Sequence, residues 1–205
     1  MQLYRPVGLI ELQRIYESGM RAFPPRLPEQ PIFYPVLNAA YAEQIARDWN
    51  TKSHTFAGYV TAFTVDDGYA AQFERRVVGG RTHEELWVPA EQLAEFNAHI
   101  LGQIGVGAAF FGPQFRGLLA EYGPLKGREA EAQFALLAEL HARDVAGLLA
   151  ALRSNHLAVF LHLPFWRQHD FAGLGIAPEQ QAQALAVIEA AWPDVSPGIP
   201  LPGAA

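Results

Sequence analysis

The sequence changes character near Gly105-Val106-Gly107, and that change limits the folds open to the chain. Before it, strand-like and helix-like segments alternate and turns are frequent. After it, Ala- and Leu-rich helical patterns dominate. The period of the apolar residues is the primary guide to secondary structure, and here it predicts an α+β protein. Residues 1–107 should form a small, twisted, mostly antiparallel sheet with flanking helices. Residues 108–205 should form a helical C-terminal region that packs on it or makes a small second domain. Of the 205 residues, 50% are hydrophobic and 18% charged, which is ample apolar surface to offset the entropy of ordering. The formal charge of −6 is shared evenly by the two halves and marks no boundary. It argues against binding nucleic acid mainly through its phosphates, which needs a basic face. The chain has no cysteine, which removes disulfides and thiolate chemistry. Its longest apolar run, near Leu157 to Leu161, is far short of the roughly 20 residues that span a bilayer. Met1 to Pro6 does not read as a leader. A cytoplasmic protein with no membrane partner is expected.

In the first half, Gln2 to Arg5 reads as a strand, and Leu9, Ile10, Leu12, Ile15 and Tyr16 recur at helical spacing up to a stop at Gly19. Pro24, Pro25, Pro28 and Pro31 then fix φ and remove backbone donors, which makes Phe23 to Pro31 a stiff extended loop. Ile32 to Tyr34 is a short strand. Asn38 is an N-cap for a helix that carries Tyr41, Ala42, Ile45, Ala46 and Trp49. Gly58 to Val65 alternates, with Tyr59, Thr61, Phe63 and Val65 on one face. Asp66 caps a short turn, Arg76 to Val78 and His83 to Val88 are strands, Pro89 opens a helix and Ile100 to Val106 is the last strand. In the second half, a single long helix is expected from Arg128 to about Arg153. His156 to Leu163 reads either as more helix or as a buried strand. Ala182 to Trp192 is a final helix ahead of an extended tail.

Three pieces of the first half carry a resemblance. They are Leu3-Tyr4-Arg5, then Ile32-Phe33-Tyr34 with the helix Ala39 to Trp49, then His83-Glu84-Glu85-Leu86-Trp87-Val88-Pro89. In this order they resemble the ADP-ribosyltransferase-like fold over residues 1–107. The stretch from Phe23 to Leu37 also looks like a set of small bacterial proteins whose label joins ADP-ribosylation with J-type crystallin. The transferase resemblance implies an NAD-binding domain that cleaves the nicotinamide–ribose bond and passes ADP-ribose to an acceptor. Glu85 would be catalytic, because a carboxylate beside the ribose can stabilise the positive charge that builds there. Arg5 would hold phosphate or ribose through its forked donors. Tyr34 and Tyr41 would stack on nicotinamide, Arg26 would line the site, and His83 would join Glu85 in the catalytic site, at the position two before the glutamate that shapes acceptor choice and where the family more often has Gln or Glu. The resemblance requires Arg5, Tyr34 and Glu85 to converge on one cleft. The J-type crystallin side of the label points to metal-dependent, all-helical hydrolases rich in acidic pairs. Asp66-Asp67 and Glu84-Glu85 are the only such pairs in this strand-rich region, so that reading is disfavoured.

Each residue also has a structural reading. Arg5 can serve in an ion pair, one of the adjacent glutamates must face outward, the aromatics can be core, and Arg26 can solvate a stiff turn. His156, His162 and His169 with Asp170 do not have the spacing of a compact metal set, so no metal is expected. The rival function is a non-catalytic binding or interaction protein on the same scaffold, with the proline loop and Phe165, Trp166 and Phe171 as a partner surface.

Overall fold

The computed structural model describes residues 1–80 and 83–203. Helices and two small antiparallel sheets make an α+β protein with a helical C-terminal region, as the apolar periods predict. The chain divides after Phe115 into two compact units. The division does not fall at residue 107 because the last strand continues through the glycines to Phe111.

The first unit begins with β1 (Gln2–Val7), which buries Leu3, Arg5 and Val7 on one face. Helix α1 (Leu9–Glu17) buries Leu9, Leu12, Ile15 and Tyr16. It ends where Gly19 and Met20 take positive φ, with the Met20 amide returned to the Ile15 carbonyl. After the proline loop come β2 (Ile32–Phe33) and α2 (Ala39–Asp48), whose Asn38 cap accepts the Tyr41 amide at 3.1 Å. β3 (Ala57–Val65) is followed by a single turn, α3 (Asp67–Ala70), capped by Asp66. β4 (Glu74–Val77), β5 (Glu84–Pro89), α4 (Leu93–Ala98) and β6 (Ile100–Phe111) complete the unit.

One sheet has the order β1-β3-β6 and the other β2-β5-β4, all antiparallel. They meet at a single residue, Val36, which bridges Tyr4 on one side and Glu85 on the other. β3 is central and buried on both faces. Tyr59, Thr61 and Phe63 lie opposite Val7, Arg5 and Leu3, on the face that α1 covers. On the other face Val60 packs with Val36, Tyr41, Ala42 and Ala46, under α2. A side chain on Gly58 would collide with the backbone of Ala46, so the close approach of α2 to β3 depends on that glycine.

The second unit holds α5 (Ala130–Arg143), α6 (Val145–Ser154), α7 (His156–Gln168) and α8 (Pro178–Val195). The single helix expected over 128–153 is two. Asp144 turns its carboxylate onto the Gly147 amide at 2.8 Å and caps α6, a local bond that competes with continued helix. His156 to Leu163 is helical, and α8 extends past Pro193 to Val195. Buried His162 ties this unit together. Its Nε2 accepts the Leu118 amide at 2.8 Å and its Nδ1 meets Gln133 Oε1 at 3.0 Å, while Gln133 Nε2 donates to the carbonyls of Leu118 and Arg128. Trp166 and Phe171 are fully buried core residues, which corrects the expectation that they form a partner surface. Among the described residues no single helix is long and apolar enough to cross a membrane.

Candidate functional site

Residues opposite one another in an antiparallel pair share a face, and neighbours along a strand alternate. Tyr4, Val36 and Glu85 are aligned through the bridge, Arg76 lies opposite Glu85, and Glu74 lies opposite Trp87. Tyr4, Val36, His83, Glu85, Trp87, Arg76 and Tyr34 therefore share the face on which α2 sits. Ring contacts agree: Tyr34 meets Trp87 edge-on at 5.2 Å, and Tyr41 of α2 stacks on His83 at 4.0 Å.

Glu85 is the half-buried centre of this face. Its Oε1 accepts the Tyr41 hydroxyl at 3.2 Å and its Oε2 accepts the Trp87 indole N–H at 3.1 Å. Both donors are neutral, so they orient the carboxylate without cancelling its charge, and each oxygen keeps acceptor capacity. Burial, then the charge of Glu85 and the hydrogen bond to it, push the Tyr41 hydroxyl above its ordinary range, so it stays a donor at neutral pH. The Arg76 guanidinium lies over the Trp87 ring at 3.7 Å and pairs with Glu74 at 2.7 Å. Ile32, Glu74, Arg76, Trp87 and Pro89 line a shallow groove of about 430 Å³ beside them. A fixed carboxylate flanked by aromatic rings and a cation suits a ligand with paired hydroxyls, a planar ring and an anionic group.

Arg5 is not part of this arrangement. It leaves β1 one residue after Tyr4 and so on the opposite face from Glu85. There it is 7% exposed. Its Nε and Nη2 donate to the two oxygens of Glu11 at 2.7 and 3.3 Å, and its Nη1 donates to the Tyr34 carbonyl at 3.3 Å. Its guanidinium covers Phe33 at 4.6 Å. The expected convergence of Arg5, Tyr34 and Glu85 is thus corrected: Tyr34, Tyr41, His83 and Glu85 come together, and Arg5 is held in a structural ion pair. Arg26, in the proline loop, is electrostatically coupled to Arg5, Glu11 and Tyr34 and makes no hydrogen bond to Glu85. Tyr34 borders both groups, its ring against Trp87 and its carbonyl on Arg5.

Two members of the site are not singled out by the sequence motifs. Trp87 is legible in principle, since it lies two residues beyond Glu85 on a strand and must share its face. Arg76 is not, because its place depends on the register of β4 against β5. Among the described residues no three His, Asp or Glu side chains assemble where they could hold a metal ion. Comparison of the chain with family models, with curated proteins and with solved structures gives no match.

Proposed function

We propose that the first unit is an ADP-ribosyltransferase-like, NAD-binding protein in which Glu85 is the catalytic carboxylate. The observation that carries this reading is the fixing of both Glu85 oxygens by Tyr41 and Trp87, beside the ring of Tyr34. A carboxylate so held can accept ribose hydroxyls and stabilise the positive charge that grows on the sugar as the nicotinamide–ribose bond breaks. Tyr34 offers a ring to stack on, His83 stacks on Tyr41, and Arg76, whose pair with Glu74 is exposed, is a cation that an anionic group would share with that carboxylate. Arg5 has no direct role in this reading. The ADP-ribose would pass to an acceptor that nothing on this face identifies.

A second reading, a non-catalytic binding protein on the same scaffold, is favoured by one observation. The arginine of β1 is consumed by Glu11, so a phosphate-holding role for it would require breaking a buried ion pair. The two readings separate in two steps. NAD should raise the melting temperature of the full chain, and absence of any NAD-dependent stabilisation would sink the cofactor assignment. Nicotinamide release by the wild type should then fall by at least about a hundredfold in Glu85→Gln, the scale of losing a main electrostatic stabiliser. Binding without release, or equal release by both proteins, leaves the binding-protein reading.

A further inference from the structure

We propose that Arg26, backed by Arg5, is the receptor for an oxyanion that shares one negative charge over two oxygens, a phosphodiester or carboxylate group of a small molecule. This goes beyond the Glu85 reading and does not depend on it.

Arg26 sits half-buried in the loop stiffened by Pro24, Pro25, Pro28 and Pro31. Its Nε is shielded from solvent and has no hydrogen-bond partner, and among the described residues its guanidinium makes no hydrogen bond or ion pair. Guanidinium groups remain protonated in proteins and carry five donors in a planar fork. A donor shielded from water with no acceptor is costly, and the prolines fix the backbone that carries it. The carboxylate whose charge reaches it, Glu11, is engaged at both oxygens by Arg5 and makes no hydrogen bond to Arg26. The Tyr34 carbonyl accepts from Arg5 and not from Arg26. Two guanidinium groups against one carboxylate leave one positive charge unmatched. Burial and the neighbouring charge of Arg5 pull Arg26 below its ordinary range, with Glu11 opposing them, the signature of a cation short of anionic company. A single negative charge on a forked pair of oxygens balances the sum and matches the geometry of the fork.

The test uses the full ¹⁵N-labelled chain and follows the Arg26 Nε–H signal, assigned by its disappearance in Arg26→Gln. Dimethyl phosphate and acetate are titrated separately at constant ionic strength, with chloride as the reference. The signal should shift and saturate with at least one of them at concentrations on the order of millimolar. Followed at the Leu27 amide, Arg26→Gln should bind about tenfold more weakly, the scale of one lost charge-assisted hydrogen bond. Glu85→Gln should bind as the wild type does, and Arg26→Gln should melt no lower than the wild type in ligand-free buffer. A drift no larger than that with chloride would overturn the proposal. So would a lower melting temperature for Arg26→Gln, which would mark the side chain as structural. Equal loss of binding in Glu85→Gln would assign the anion to the Glu85 face instead, and overturn it as well.

Discussion

At the scale of single residues, strand parity decides the chemistry. Tyr4 and Arg5 are adjacent, yet the bridge through Val36 puts Tyr4 on the Glu85 face and sends Arg5 to Glu11. The sequence holds no sign of that choice, because a bridge of one residue has no period to read. Parity from a known member of the face is legible, which is why Glu85 leads to His83 on one side and to Trp87 on the other. His162 shows the same limit in the second unit. Its burial follows from the apolar run around it, but its partners on Gln133 and Leu118 do not. Complete burial holds its folded pKa down at about 3, against roughly 6.5 in an unfolded chain. The folded state therefore binds fewer protons than the unfolded state between these values, and stability is lost as pH falls through that window. Relative to His162→Gln, which does not titrate, the wild type should lose up to about 1.4 kcal/mol per pH unit on going from about pH 6 to about pH 4. Urea unfolding followed at the α7 amides measures this, and parallel pH profiles for the two proteins would show that His162 does not remain neutral in the fold.

At the scale of elements, the site depends on how closely α2 approaches β3. The helix itself is legible from Asn38 and the spacing of Tyr41, Ala42, Ile45 and Ala46, and so is the alternation of β3. The burial of β3 on both faces is not, since it arises from α1 and α2 covering opposite sides of one sheet. Gly58 is the point of contact. A methyl group there would meet the backbone of Ala46 rather than a flexible side chain, so α2 must move to accommodate it. Gly58→Ala should destabilise the first unit by about 1–3 kcal/mol, the usual cost of overpacking. Because α2 carries Tyr41, the same change should displace the hydroxyl from Glu85 and, under the NAD-binding proposal, weaken stabilisation by NAD. Denaturation with and without NAD checks both effects. An unchanged midpoint would mean the helix can slide without cost. The break at Asp144 is a lesson of the same scale. Asp is an N-cap residue type, and the bond of Asp144 to the Gly147 amide outweighs the unbroken Ala/Leu pattern around it.

At the scale of the whole molecule, the glycines at 105–107 mark a change of composition but not the end of a folding unit. β6 runs through them because Gly105 and Val106 pair with Ala62 and Thr61, while Ala108 to Phe111 pair with Val60 back to Ala57. Cutting the chain after Val106 would strip the first half of β3 of one partner and remove Ala108 and Phe110 from the cluster beneath α2. Cutting after Phe115 leaves that pairing intact and retains Phe115, whose amide donates to the Gly112 carbonyl at 3.0 Å. A fragment of 1–115 should therefore fold cooperatively, with dispersed amide signals and a single melting transition. A fragment of 1–106 should be much less stable or fail to fold, because it loses strand pairing and apolar burial together. Circular dichroism melts and amide spectra of the two fragments decide the point. If 1–115 is disordered in isolation, the first unit requires the helices that follow it, and the Glu85 face would have to be studied only in the full chain. If both fragments fold equally well, the far end of β6 is dispensable and the boundary lies at the glycines after all.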